Sequence, residues 1–122
     1  MPYGVEISPS ADLVEKFVSV IRSLGRRVHM GRVWTIATPY REVLWKLREY
    51  HERWNVKCVE MEAGSVFALC KYYGVECAAV LVVSDKVYPR HIMAFHEKEV
   101  LEAQEKIIPE IVEKFLERRQ GF

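Results

Sequence analysis

VEMEAGSVFALCKYYGVECAAVLVVSDK, running from Val59 to Lys86, is the stretch from which the fold is read. Val59 and Glu60 close a short strand predicted from Val56 to Glu60. Ala63, Val66, Phe67, Cys70 and Tyr73 then recur at helical spacing, and Gly74 supplies a stop. Cys77 to Val83, reading CAAVLVV, is apolar throughout, as expected of a parallel strand covered on both faces. Strand, helix and strand in direct succession make the crossover unit of a parallel sheet.

The pattern continues outward in both directions. Upstream, Leu13, Val14, Phe17, Val18, Ile21 and Leu24 mark a helix from Ser10 to Leu24, with Ser8 or Ser10 as cap, Pro9 suited to the first turn and Gly25 at its end. Val28 to Ile36, holding Val33, Trp34 and Thr35, favours a strand. Thr38-Pro39 reads as an N-cap and first-turn proline for a second helix striped by Val43, Leu44, Leu47, Tyr50 and Trp54. Downstream, a loop from Ser84 to about Ile92 precedes a long helix bearing Leu101, Ile108, Ile111 and Phe115, which Pro109 should kink or divide. The expected architecture is α/β and three-layered, with a small, mainly parallel sheet of three strands. Both sheet edges would be open unless another chain covers them.

Size and composition narrow the function. The 122 residues suit one domain over 1–122, and half of them are apolar. A formal net charge of +1, with Lys and Arg spread along the chain, gives no footprint for nucleic acid or an anionic membrane. The longest apolar run, Cys77 to Val83, is far too short to span a bilayer. Cys58, Cys70 and Cys77 are odd in number and form no CxxC pair; with no signal peptide visible, a reducing cytoplasm is expected. His29, His51, His91 and His96 show no metal-ligand spacing beyond a coincidence of His91 with His96, and no metal is predicted.

Two places put carboxylates where a predicted strand ends. One is Glu60-Met61-Glu62, entering the third helix; the other is Ser84-Asp85, directly after CAAVLVV. In open α/β sheets ligands bind beyond the carboxyl ends of the strands, so adjacent parallel strands would bring Glu60, Glu62 and Asp85 to one rim. Acids here also serve simpler ends: Glu60 and Glu62 as favourable charges at a helix N-terminus, and Asp85 as a turn or capping residue.

The Val59–Lys86 block resembles the part of the nucleoside phosphorylase family in which a Glu-Met-Glu-Ala run opens a helix and a Ser-Asp pair follows the next strand. GRVWTIATPYRE, from Gly31 to Glu42, is similar to that family's strand and base-pocket segment. The resemblance covers nearly the whole chain and corresponds to the C-terminal half of such an enzyme, a truncated phosphorylase/hydrolase-like fold. It implies binding of a ribonucleoside, purine favoured, and cleavage of its N-glycosidic bond. Glu62 would take the ribose 2′- and 3′-hydroxyls, Met61 would pack on the sugar face, and Glu60 would lie near base or sugar. Asp85, beside Ser84, would protonate or hydrogen-bond the purine N7, and Tyr40 would support the base, unless it is a core or interface residue. No cofactor is implied beyond inorganic phosphate as co-substrate.

The departures from the family pattern concern the other reactant. Ala37 stands where the family usually has Asp, and Arg90 and Lys98 are both candidates for the basic residue that assists the acid. Gly4, Gly25, Gly31, Gly64, Gly74 and Gly121 are scattered, so the glycine-rich phosphate loop has no counterpart. A homo-oligomer, or a complementary chain carrying the N-terminal half, is therefore expected. The alternative is a catalytically inactive nucleoside-binding or structural module.

Overall fold

The computed structural model describes residue 4 and residues 6–90 and 97–120. Helix α1 spans Ala11–Ser23, strand β1 Arg32–Thr35, a 3-10 turn Pro39–Arg41, α2 Leu44–Trp54, β2 Val56–Glu60 and α3 Ala63–Tyr73. Then come α4 (Glu97–Glu102), a π-helical turn (Ala103–Ile107) and α5 (Ile108–Gln120).

The local signals read from sequence account for most of these limits. Ser10 caps α1, its hydroxyl oxygen accepting from the Leu13 N–H at 3.4 Å, so Pro9 precedes the helix instead of opening it. Gly25 at φ 71° and Gly74 at φ 67° turn the chain out of α1 and α3 in the left-handed region. The second helix starts later than expected. Thr38 makes no side-chain cap, Pro39 opens only the 3-10 turn, and Val43 is extended before α2 begins.

β1 and β2 pair in parallel, with Trp34 opposite Val59 and Thr35 opposite Glu60 and an irregularity between Arg32 and Val33. The Ile36 N–H extends the ladder by donating to the Glu60 carbonyl at 2.9 Å. Among the described residues the sheet has these two strands, so the α/β class holds with a smaller sheet than expected. The predicted third strand, Cys77–Val83, forms no ladder, and Leu81 and Val83 are exposed. Its entry is committed elsewhere: the Cys77 carbonyl accepts from the Ser10 N–H at 2.8 Å and Glu76 accepts from the Ser10 hydroxyl at 3.1 Å. An apolar run joins a sheet only where its backbone meets a strand edge, and here the first carbonyl of the run is already bonded to the N-terminal segment.

Pro109 also acts differently from a simple break. A proline inside a helix has no N–H to donate, and its ring collides with the carbonyl four residues earlier, here Glu105. The chain takes that position in a single π-helical turn immediately ahead of the proline, and α5 continues from Ile108.

The buried residues form two groups. Val20 and Ile21 of α1 meet Ile111 and Phe115 of α5, flanked by Leu13, Phe17, Leu24 and Val80. Phe17 and Phe115 stack nearly parallel with ring centroids 4.4 Å apart. Around the sheet, Ile36, Tyr50 and Val56 are buried, and Trp34 meets Tyr50 edge-on at 4.5 Å. Against so small a core, truncating one large member is costly. Phe115→Ala should lower stability by about 3 kcal/mol or more, read as a fall in urea midpoint at unchanged slope.

Candidate functional site

Both strands end at the same side of the sheet because they are parallel, and the chain there turns directly into α3. Glu60, the last residue of β2, occupies the junction. One of its carboxylate oxygens accepts from the Thr35 hydroxyl across the sheet. The other accepts the backbone N–H groups of Glu62 and Ala63, both at 2.6 Å. The Thr35 oxygen in turn accepts the Gly64 N–H at 2.8 Å. Three N–H groups at the start of α3, which no earlier turn of helix can satisfy, thus find partners on β1 and β2.

Glycine is required for this docking. A Cβ on Gly64 would sit 2.9 Å from the Thr35 Oγ1 and 3.0 Å from its Cβ. Thr35 is β-branched and held in a strand, so it has little room to yield.

Glu62 stands at the N-cap position of α3 and is exposed, with its carboxylate accepting only a 3.3 Å contact from the Met61 N–H among the bonds found at its side chain. Met61 is 44% exposed. Asp85 is half-buried and accepts the Ser84 hydroxyl at 2.8 Å. Its charge, like that of Glu60, is felt at Cys58, two residues before Glu60 on β2. Burial is the first cause that raises the Cys58 thiol above its ordinary 9.0, and these two carboxylates add to it. Glu60, Met61 and Glu62 therefore share the carboxyl end of the sheet, and Asp85 lies within electrostatic reach of the same strand. Tyr40, on the 3-10 turn beyond β1, is 93% exposed.

Two surface concavities lie elsewhere. One is bounded by Glu15, Val18, Arg22, Val28 and Met30, the other by Lys16, Val20, Phe115, Arg118 and Arg119; neither includes a carboxylate of the rim. No cluster of three or more His, Cys, Asp or Glu side chains fit to hold a metal occurs among the described residues, and His91 with His96 falls outside them. Arg90 and Lys98 are both exposed, and among the described residues neither is tied to the rim by a hydrogen bond or ion pair.

Thr35 and Gly64 were read from sequence only as a strand former and a scattered glycine. The available signal was a hydroxyl residue at one strand's end and a glycine four places after an acid at the next strand's end.

The electrostatics of Glu60 follow from its partners. Burial pushes its carboxyl up, but the Thr35 hydroxyl and the Ala63 and Glu62 N–H groups outweigh it, so it titrates below its ordinary 4.5. A carboxyl depressed in the folded state stabilises the fold above its unfolded value, and that contribution is lost as pH falls through the folded one. Thr35→Val removes the hydroxyl that donates to the Glu60 carboxylate and leaves the Gly64 N–H unsatisfied. It should cost about 1–2 kcal/mol at neutral pH. It should also move the Glu60 titration upward and flatten the loss of stability on acidification, both measurable by NMR titration and urea melts across the acid range.

Residues 2–117 match the family model described as the phosphorylase superfamily. The DeoD-type purine nucleoside phosphorylase of Streptococcus pneumoniae (strain CGSP14) is 33% identical over 78 residues, covering 64% of this chain and 33% of that protein. The protein of the same name from Streptococcus gordonii (strain Challis) is 32% identical over 78 residues, 64% of this chain and 32% of its own. The chain thus spans about a third of the length of these curated relatives. With the match extending over nearly all its residues, this chain belongs to the phosphorylase superfamily.

Proposed function

We propose that the chain binds a ribonucleoside, purine favoured, at the Glu60–Glu62 and Ser84–Asp85 rim. It would take part in cleaving the N-glycosidic bond, with the phosphate site supplied by residues outside these 122. The reading is supported by Glu60, Met61 and Glu62 at the carboxyl end of β2, with Asp85 within electrostatic reach of that strand at Cys58, in a chain of this superfamily.

The roles follow from what each group has left to offer. Both Glu60 oxygens are already engaged, so Glu60 sets the strand–helix junction and keeps one acceptor position towards base or sugar. Glu62, exposed at the helix start, is open to two ribose hydroxyls at once, which a carboxylate accepts well. Met61 offers its apolar side chain to the sugar face, and Tyr40 its ring to the base. Asp85, steadied by the Ser84 hydroxyl, hydrogen-bonds or protonates N7. The electron pair of the breaking C1′–N9 bond then passes into a neutralised base instead of a full anion. Negative charge from the rim also favours the positive sugar centre that develops.

A second reading is a nucleoside-binding module without turnover, favoured by the absence of a glycine-rich phosphate loop from these residues. In either case the chain is proposed to assemble with a second copy or a complementary chain. Helix α3 is the reason: Val66, Leu69, Tyr72 and Tyr73 form one apolar stripe along it, exposed at 52%, 59%, 83% and 69%. A helix apolar on more than one face is built to be covered. A reducing cytoplasm suits the three free thiols.

Incubation with purine nucleosides, with and without phosphate and together with a chain carrying the phosphate-binding half, should release free base, followed by chromatography. Asp85→Asn should lower that release about 100-fold or more. Glu62→Gln should weaken nucleoside binding in calorimetry. Binding without release under any condition would establish the module reading, and absence of both would remove the site. Sedimentation should show a dimer or larger species, whereas a monodisperse monomer would overturn the assembly.

A further inference from the structure

Beyond the rim, the end of α3 brings two thiols together. Gly74 at φ 67° reverses the chain, its N–H and that of Val75 both returning to the Cys70 carbonyl, the latter at 2.8 Å. This closing motif sends Glu76 and Cys77 back past the last turn of the helix. The N-terminal segment holds them there through the bonds from Ser10 to Glu76 and to the Cys77 carbonyl. Cys70 and Cys77 are both free and half-buried, and Cys70 lies close enough to bear on the ionisation of Cys77. With the chain folded back in this way, rotation about the two Cα–Cβ bonds is what brings the sulfurs to the S–S bonding distance of about 2.05 Å.

We propose that Cys70 and Cys77 form a reversible intrachain disulfide that clips the end of α3 to the segment leading to Ser84 and Asp85. The oxidant is a low-molecular-weight disulfide such as oxidised glutathione. The thiolate of Cys70 attacks one sulfur of the oxidant, forming a mixed disulfide and releasing one small thiolate, which takes up the proton that Cys70 gave. The Cys77 thiolate then attacks the Cys70 sulfur, releasing the second small thiol with the second proton. Two protein thiols lose two electrons and the oxidant gains them.

The order of attack follows from the surroundings. Burial holds the Cys77 thiol above its ordinary 9.0, and the hydrogen bond and charge of Cys70 add to this. Cys77 is thus the poorer first nucleophile. Once Cys70 is tied up in a mixed disulfide its opposing charge is gone, and Cys77 ionises more readily at the step that needs it. Cys58 stands apart on β2, where burial and the Glu60 and Asp85 carboxylates oppose its thiolate. The clip is independent of nucleoside binding.

The test treats the whole chain with excess oxidised glutathione, blocks remaining thiols by alkylation and maps peptides by mass spectrometry. The expected product joins Cys70 to Cys77, lighter by two hydrogens, with Cys58 alkylated, and dithiothreitol reverses it. Cys77→Ser should stall with glutathione on Cys70, and Cys70→Ser should stop at a mixed disulfide on Cys77 without closing a ring. A pair that includes Cys58, a bond between chains, or pairing no faster than in urea-unfolded protein would overturn the proposal. Mapping of the unaltered chain decides the matter even if a serine variant folds poorly.

Discussion

The Glu60 carboxylate is the tie on which the arrangement of β1, β2 and α3 depends. It faces Thr35 on one strand, ends the other and collects two N–H groups from the first turn of the helix. A charged acceptor makes each of these bonds stronger than a neutral one, and the positive end of the helix dipole adds to the attraction. The same side chain thereby fixes the direction in which α3 leaves the sheet and the position of Glu62 at its start. A residue that the superfamily resemblance marks for substrate contact is here chiefly occupied with holding its neighbours.

The burial pattern separates this junction from the main apolar cluster. Val20, Ile21, Ile111 and Phe115 are contributed by α1 and α5, and α3 buries no residue fully. Polar contacts with the strands and a half-buried face of Ala63, Gly64, Phe67 and Cys70 hold α3, while its second apolar face lies open. The rim consequently rests on hydrogen bonds more than on packing, and such contacts are direction-specific where burial is not.

What was legible in the sequence was local. Ser10 as a cap, Gly25 and Gly74 as stops, and the Glu-Met-Glu run at a strand–helix junction depend on neighbours a few residues away, and each lies where expected. The third strand was not legible, because CAAVLVV states only that the segment is apolar, and whether it pairs depends on which backbone lies beside it. At Cys77 that backbone is Ser10. The Thr35–Glu60–Gly64 contact was hidden for a related reason: it joins residues 25 and 29 places apart, and no periodicity marks such a pair. At Pro109 the constraint was visible but its resolution was not, since a proline can be met by a bend or by a wider turn.

The pairing of α1 with α5 joins nearly opposite ends of the sequence, and this bears on how the molecule comes into being. Arg118 reaches back to the Ser19 hydroxyl over a separation of 99 residues. A ribosome that has delivered α1, the sheet and α3 has still not delivered Ile111 or Phe115. Until it does, Val20 and Ile21 have no lasting cover, and closing so long a loop carries its entropic cost before any apolar contact repays it. The nascent chain must therefore carry the apolar face of α1 uncovered while everything between α1 and α5 is made, where chaperones, or a second nascent copy, can meet it first.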